Sequence, residues 1–153
     1  MVRPLLEYGN TIWGPFYKGD MNIVESVQRR ATRLVTSLRH LCYEDRLKAM
    51  KLPSLSYRRK RGDMITMYKI MNGLIRINVT DLFEHTKTPY TRGHHQRVFK
   101  THATKRQRID AFSQRVTNTW NNLPKSVVNS PSLNTFKNQI DEFWIEKRYT
   151  TND

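Results

Sequence analysis

The side chains that could support acid–base or metal-dependent chemistry are few and scattered in this sequence. The 153 residues include 13 Asp and Glu, five histidines and one cysteine. A polymerase or nuclease site needs carboxylates that converge on divalent metal ions, and the sequence contains no Asp-Asp pair. Two mixed pairs, Glu44-Asp45 and Asp141-Glu142, fall in helical patterns, where neighbouring side chains point about 100° apart. We therefore interpret both pairs as helix surface.

The histidines His94, His95 and His102 form the densest group of possible zinc ligands. They lack the spacing of a ligand quartet, and Cys42 lies far from them in the sequence. The alternatives are exposed surface, which we favour, and contact with backbone or phosphate from a basic loop. The six glycines occur singly, so no Gly-rich phosphate loop is present. From the residues we predict no metal site and no complete nucleophile-dependent site.

The single cysteine and the hydropathy pattern favour an intracellular protein, in the nucleus or the cytoplasm. One cysteine allows no internal disulfide, and no apolar run approaches the roughly 20 residues of a membrane helix. The N-terminus, MVRPLLEYGN, lacks the layout of a signal peptide. We expect no membrane partner.

Positive charge is the dominant property of the sequence. Lys and Arg number 27, and the net charge is +14. Residues 26–61 carry +9 and residues 86–115 carry +7, so the excess lies in two blocks. Clustered positive charge attracts polyanions, and we expect nucleic acid as the partner. A basic surface that serves only solubility is the alternative, and an anionic membrane is a distant third.

The first basic block begins in a strongly amphipathic segment, residues 21 to about 38. Asp20 precedes it and has a side chain suited to the N-cap position. On a helix the arginines Arg29, Arg30 and Arg33 lie away from the apolar sector. We expect that sector to pack against the core. Its members are Ile23, Val24, Val27, Ala31, Leu34, Val35 and Leu38.

A second basic helix is predicted from Leu55 to Asn72. Ser54 can cap its start, and Gly73 supplies a C-terminal stop. Asp63 can pair with Arg59 one turn earlier, although one carboxylate cannot neutralise the four cations at positions 58–61. The expected apolar side comprises Tyr57, Met64, Met67, Tyr68 and Met71.

The predicted fold is mainly α. Residues 1–73 form a basic helical region, and residues 74–110 form a weakly patterned basic connector. In the connector, Arg97–Thr101 could pair with Arg106–Ile109 as a short β-ribbon. Residues 111–148 form a C-terminal helical pair, and the expected frayed tail comprises residues 149–153.

Five phrases occur in a fixed order along the chain: VRPLLEYGNTIWGP, VESVQRRATRLV, LRHLCYEDRLKAMKLPSLSYRRKRGDMITMYKIMNG, TRGH and FSQRVTNTWNNLP. In this order they resemble the region downstream of the catalytic palm in reverse transcriptases of Jockey-like non-LTR retrotransposons. The resemblance covers roughly residues 2 to 144. It implies a fragment of an RNA-directed DNA polymerase, namely the helical thumb and the connecting region behind it. In such enzymes this region grips the template–primer duplex and the element's own RNA.

The resemblance also implies what this chain should not do alone. The palm motif that binds catalytic Mg²⁺, an aromatic-Ala-Asp-Asp turn, does not occur in the sequence. No catalytic residue can therefore be transferred from the family, and we expect no cofactor in this chain. We also expect no polymerase activity from the chain alone. Incorporation of labelled nucleotide on a primed RNA template would overturn that expectation.

Phosphate contact by basic side chains is the function that we expect, with RNA or an RNA–DNA template–primer as the partner. The arginines of the first helix alone would be read as a solvated face. The second basic helix and the second basic block make phosphate contact the better interpretation. The expected contact residues are Arg29, Arg30, Arg33, Arg58, Arg59, Lys60 and Arg61, followed by Arg92 and Arg97.

A packing or interaction module is the alternative, as is a decayed retroelement relic with no independent function. In the parent enzyme some arginines could pair with acidic residues of the palm. Apolar faces that pack on the palm there would then be exposed here, and the chain could self-associate through them.

Overall fold

The computed structural model describes Gly9, residues 17–85 and residues 93–151, with only the backbone at residues 85, 106 and 107. It is mainly helical, as predicted. The chain divides into two compact units: residues 1–61 with residues 144–153, and residues 62–143. The division between the two units falls inside the helix Leu55–Met71, whereas the sequence segments were divided after residue 73.

Helices supply most of the described structure in both units. The first unit contains α1 (Lys18–Arg33), a 3-10 turn (Thr36–Leu38), α2 (Tyr43–Ala49), the start of α3 (Leu55–Met71) and a 3-10 turn at Ile145–Lys147. The second unit contains the rest of α3, α4 (Val79–Leu82), β1 (Glu84–His85), β2 (Val98–Phe99), α5 (Arg106–Ile109), α6 (Phe112–Asn121), α7 (Lys125–Val128) and α8 (Leu133–Phe143). In the part of the chain that is described, no helix has the length and apolar character needed to cross a bilayer.

The start of α3 lies in the core of the first unit. The backbone N–H of Tyr57 donates to Oγ of Ser54 at 3.2 Å, which confirms Ser54 as the cap. The backbone N–H of Leu55 donates to the carboxylate of Glu25. The ring of Tyr57 meets Trp144 edge-on at 6.3 Å. The two sequence segments of this unit, residues 1–61 and 144–153, thus both contribute contacts to the first turn of α3, through Glu25 and Trp144.

The packing face predicted for α1 is wrong. Ile23 is 66% exposed and Leu34 is 78% exposed, whereas Glu25 and Thr32 are the buried side chains of this helix. Polar contacts account for the difference, because the side chain of Gln28 donates to the carbonyl of Pro53 and Glu25 binds the start of α3. Viewed down the helix axis, Glu25 and Gln28 lie about 100° from the centre of the apolar sector.

The predicted start of α1 is also wrong. The helix begins at Lys18, and Tyr17 occupies the N-cap position without a side-chain cap. Asp20 therefore lies in the first turn, where its negative charge is favourable near the helix N-terminus. The C-terminal end predicted near residue 38 is replaced by a helix end at Arg33 and the 3-10 turn Thr36–Leu38.

The core of the second unit is built around aromatic side chains. Tyr68 stacks on Phe136 with ring centroids 4.4 Å apart, and its hydroxyl donates to the carbonyl of Ser130 at 2.6 Å. Trp120 is fully buried and lies 6.2 Å from Phe136. Most of the predicted apolar side of α3 is buried, as expected: Tyr57, Met64, Met67 and Tyr68.

The predicted stop at the end of α3 is confirmed at Gly73. This glycine has a φ of 65°, in the left-handed region that favours glycine. The following residue, Leu74, donates its N–H to the carbonyl of Lys69 at 2.8 Å. This bond is the one that closes a Schellman motif.

The two-stranded ribbon exists, but one predicted strand is wrong. Val98–Phe99 pairs antiparallel with Glu84–His85, while Arg106–Ile109 forms a single helical turn. The side chain of Asn121 accepts from the N–H of Val98 at 3.1 Å and donates to its carbonyl at 2.8 Å. These two bonds fix Val98 on α6, a contact that strand patterning does not reveal.

Candidate nucleic-acid interface

Two of the predicted arginines on α1, Arg29 and Arg33, line an open cavity of about 550 Å³ in the first unit. Two further arginines complete its basic lining, and neither was among the predicted contact residues. The full lining is Arg29, Arg33, Arg39, Leu41, Cys42, Tyr43 and Arg46. Four arginine residues therefore line one open cavity.

Local structure explains how the four arginines meet. Arg29 and Arg33 are four residues apart on α1 and so lie on the same side of that helix. The chain then turns through Thr36–Leu38, and Arg39 follows at the end of this turn. Helix α2 begins a few residues later and carries Arg46. The cavity is thus formed by one helix end, one turn and one helix start.

Arg46 is a buried member of the cavity lining, and two hydrogen bonds hold its guanidinium group. Arg46 is only 3% exposed. Its Nη1 donates to the carbonyl of Leu41 at 2.6 Å, and its Nε donates to Oγ1 of Thr32 at 3.3 Å. These bonds use neutral acceptors, so they orient the guanidinium without neutralising its charge.

Tyr43 places an aromatic ring between two of these arginines. The guanidinium carbon of Arg29 lies 5.0 Å from the ring centroid, and that of Arg46 lies 5.7 Å from it. These distances are within the range of cation–π contacts. The Tyr43 hydroxyl donates to Glu25 at 2.6 Å. Burial, followed by the hydrogen bond and charge of Glu25, raises the pKa of Tyr43, so the hydroxyl remains a protonated donor.

No Asp or Glu is among the described residues that line this cavity. The nearby carboxylate of Asp45 accepts from Cys42 Sγ at 3.0 Å and lies 3.4 Å from Lys48 Nζ. The hydrogen bond from Cys42 and the one from Lys48 lower the pKa of Asp45. A smaller cavity of about 210 Å³ in the second unit differs, since Asp81, Glu84 and Arg108 give its lining both charges.

Comparisons with protein-family profiles, curated proteins and solved structures give no match to this chain. Guanidinium groups present planar arrays of N–H donors that match the oxygens of carboxylate and phosphate groups. The arginine cavity has the chemistry of an anion site.

The other predicted contact residues that the structure describes are not among the lining residues of the cavity. Arg30 is exposed on α1. In α3, Lys60 is exposed, Arg58 and Arg61 are half-buried, and Arg59 is only 9% exposed. None of these four residues is among the described residues that line the cavity.

In the second basic block, Arg92 lies outside the described residues, and Arg97 belongs to the second unit. The side chain of Arg97 passes close to Gly93, where a Cβ would lie 3.4 Å from its Cδ. Gly93 has a φ of 128°, which favours glycine. Arg97 is not among the described residues that line the arginine cavity.

The interpretation of the three histidines as exposed surface is wrong for His94, which is only 2% exposed. Its Nε2 lies 2.9 Å from the carbonyl of Trp120, and its ring packs edge-on against that indole. Burial lowers the pKa of His94, so the ring is neutral and Nε2 carries the donor proton. His95 and His102 are exposed. The described residues contain no cluster of three or more His, Cys, Asp or Glu side chains that could hold a metal.

Sequence reasoning missed Arg39 and Arg46. Both belong to the basic block of residues 26–61. Neither lies on the amphipathic helix predicted to carry the contact arginines. Arg39 follows the turn Thr36–Leu38, and Arg46 lies on the short helix α2. Only the path of the chain between α1 and α2 brings them beside Arg29 and Arg33.

Proposed function

We propose that this chain binds nucleic acid through its phosphates, as the thumb and connecting part of a non-LTR retrotransposon reverse transcriptase. Its ligand in this proposal is RNA or an RNA–DNA template–primer. The observation that carries the proposal is the cavity of about 550 Å³ lined by four arginines, with no carboxylate among its described lining residues. Binding of this kind releases counterions and depends little on base sequence.

The burial of Arg46 supports an anionic ligand over a surface kept basic for solubility. A solubilising cation lies in water, whereas Arg46 is 3% exposed. Removing a charge from water is costly unless the charge is compensated. The hydrogen bonds of Arg46 go to a carbonyl and a hydroxyl, so a phosphate in the cavity would supply the missing negative charge.

A packing module is the second candidate, and one observation favours it. Ile23 and Leu34 are exposed on α1, as expected for a face that meets another protein surface. In this view the arginines pair with acidic residues of that surface. The two candidates differ in whether the chain alone binds nucleic acid.

Charge reversal in the cavity separates them. Arg33 and Arg39 are exposed, so Arg33→Glu with Arg39→Glu should leave the fold intact. The matched control, Lys125→Glu with Lys147→Glu, changes the net charge equally at exposed positions outside the cavity. Binding of a fluorescent RNA–DNA duplex is measured by anisotropy, with circular dichroism to verify the fold.

Nucleic-acid binding predicts that the cavity variant weakens affinity at least about tenfold, equivalent to roughly 1.4 kcal/mol. The control should change affinity much less. Equal affinities for the wild-type chain and the cavity variant would favour the packing module. The pair Arg58 and Arg59 is less suitable for this test, because Arg59 is buried and its reversal would disturb α3.

A further inference from the structure

We infer that the arginine cavity holds a terminal phosphomonoester, the phosphorylated end of a nucleic-acid strand, in preference to an internal phosphodiester. This inference rests on the proposed function and specifies the ligand of the same site. The lining residues in question are Arg29, Arg33, Arg39, Arg46 and Tyr43.

The balance of charge around the cavity favours a dianion. Four arginines line it, and the carboxylate of Glu25, a residue outside the described lining, accepts a hydrogen bond from the Tyr43 hydroxyl. The C-terminus of α1 adds roughly half a negative charge near Arg33. More than two positive charges therefore remain. A phosphomonoester carries about −1.5 to −2 at neutral pH, whereas each internal diester carries one negative charge.

The hydrogen-bond donors of the cavity favour a group with three oxygens. Nε of Arg29 is buried and has no hydrogen-bond acceptor among the described residues. The two hydrogen bonds of Arg46 use Nε and Nη1, and neither uses Nη2. A monoester presents three terminal oxygens to such donors. An internal diester presents only two, because the other two oxygens are esterified.

The dimensions of the cavity suit a strand end. The cavity is open, and its volume of about 550 Å³ is comparable with the roughly 300–1,000 Å³ of pockets that bind small ligands. It therefore has space for a phosphate together with part of its terminal nucleotide. The Tyr43 ring already contacts Arg29 and Arg46, so it serves to hold these cations rather than as a free stacking surface.

The test uses the full chain and one oligoribonucleotide with a 5′-phosphate, a 3′-phosphate or hydroxyls at both ends. Affinities are measured by competition against a fluorescent copy of the hydroxyl-ended strand. We expect one phosphorylated form to bind about tenfold more tightly than the hydroxyl form, or roughly 1.4 kcal/mol. The preference should diminish as pH falls through about 6, because the dianionic phosphomonoester then takes up a proton and becomes a monoanion.

Two variants connect this preference to the cavity. Arg33→Gln with Arg39→Gln removes two exposed lining cations and should abolish the preference. Arg30→Gln removes an exposed arginine of α1 that does not line the cavity, so it should lower all affinities while retaining the ratio. A preference that persists in the double variant would overturn the inference.

The outcomes distinguish the inference from the proposed function. Equal, salt-sensitive binding of all three strands would overturn the terminal-phosphate inference and leave nucleic-acid binding intact. Failure of every strand to bind would overturn the proposed function itself. Competition by a free nucleoside monophosphate as effective as that of the phosphorylated strand would overturn the assignment to a strand end.

Discussion

The hydroxyl of Tyr43 donates a 2.6 Å hydrogen bond to Glu25, and the same carboxylate accepts the backbone N–H of Leu55 at 3.1 and 3.2 Å from its two oxygens. One buried side chain therefore links the ring beside Arg29 to the first turn of α3. Glu25 is 4% exposed, so both bonds form in a protected environment. The geometry of the arginine cavity thus depends on a residue outside its lining.

Glu25→Ala should destabilise the chain by about 3 kcal/mol, because it leaves the partly buried hydroxyl of Tyr43 and the buried N–H of Leu55 without their acceptor. Urea denaturation followed by circular dichroism measures this loss. Glu142→Ala is the matched control, since Glu142 is exposed on α8, and its stability should be close to wild type. Equal stability of the two variants would show that Glu25 does not support the fold.

Asp63→Ala should also destabilise the chain by about 3 kcal/mol, because it leaves the partly buried guanidinium of Arg115 without this carboxylate. Arg115 donates Nε at 3.0 Å and Nη2 at 2.9 Å to the two oxygens of Asp63, and these side chains are 20% and 11% exposed. The control is Asp45→Ala, whose pair with Lys48 is 52% and 61% exposed. Urea denaturation should show no resolvable change for this control. A comparable loss in both variants would contradict the account.

Acidification should weaken the fold through His94. Burial holds the pKa of His94 below its usual value of about 6.5. The unfolded chain therefore takes up a proton more readily, so stability falls as pH decreases below about 6.5. His94→Gln removes this titration and keeps an N–H donor for the carbonyl of Trp120.

Urea denaturation at about pH 7 and pH 5 measures the effect. The loss of stability between these pH values should be smaller in His94→Gln than in wild type. The exposed His102 provides the control, since His102→Gln should retain the wild-type dependence. An unchanged dependence in His94→Gln would rule out His94 as the source.

Self-association should involve the apolar side of α1. Ile23 and Leu34 are 66% and 78% exposed. Ile23→Lys with Leu34→Lys should shift the chain toward monomer in sedimentation velocity, because it places charge in an apolar contact. Asn22→Lys with Thr36→Lys adds the same charge at exposed polar positions and should shift it less. Equal shifts would attribute the effect to net charge alone.

The sequence predicted α3 well because its signals are local. Ser54 caps the helix through the N–H of Tyr57, and the left-handed Gly73 ends it. Its apolar side chains are also the ones that are buried, including Met64 and Met67. Capping chemistry and helical periodicity are properties of a few neighbouring residues, so they can be read without knowledge of the fold.

The orientation of α1 and the arginine cavity could not be predicted in the same way. The helix is held by Glu25 and Gln28, which bond to residues 25 to 30 positions away in the sequence. Such polar contacts override the apolar periodicity. The cavity likewise depends on the turn that brings Arg39 and Arg46 to α1. Charge clustering showed that residues 26–61 are basic, whereas the packing of the chain determines which four arginines line the cavity.

The salt dependence of nucleic-acid binding is the decisive measurement for phosphate contact by the arginine cavity. The full chain is titrated against one RNA–DNA duplex over a series of salt concentrations, with Arg33→Gln plus Arg39→Gln measured in parallel. If the cavity binds phosphates, the logarithm of the association constant should fall linearly with log salt, with a slope of about 0.9 per neutralised phosphate. The slope should be shallower by about one to two in the double variant. An affinity that stays flat between low and physiological salt, or identical slopes for both proteins, would contradict phosphate contact by the cavity.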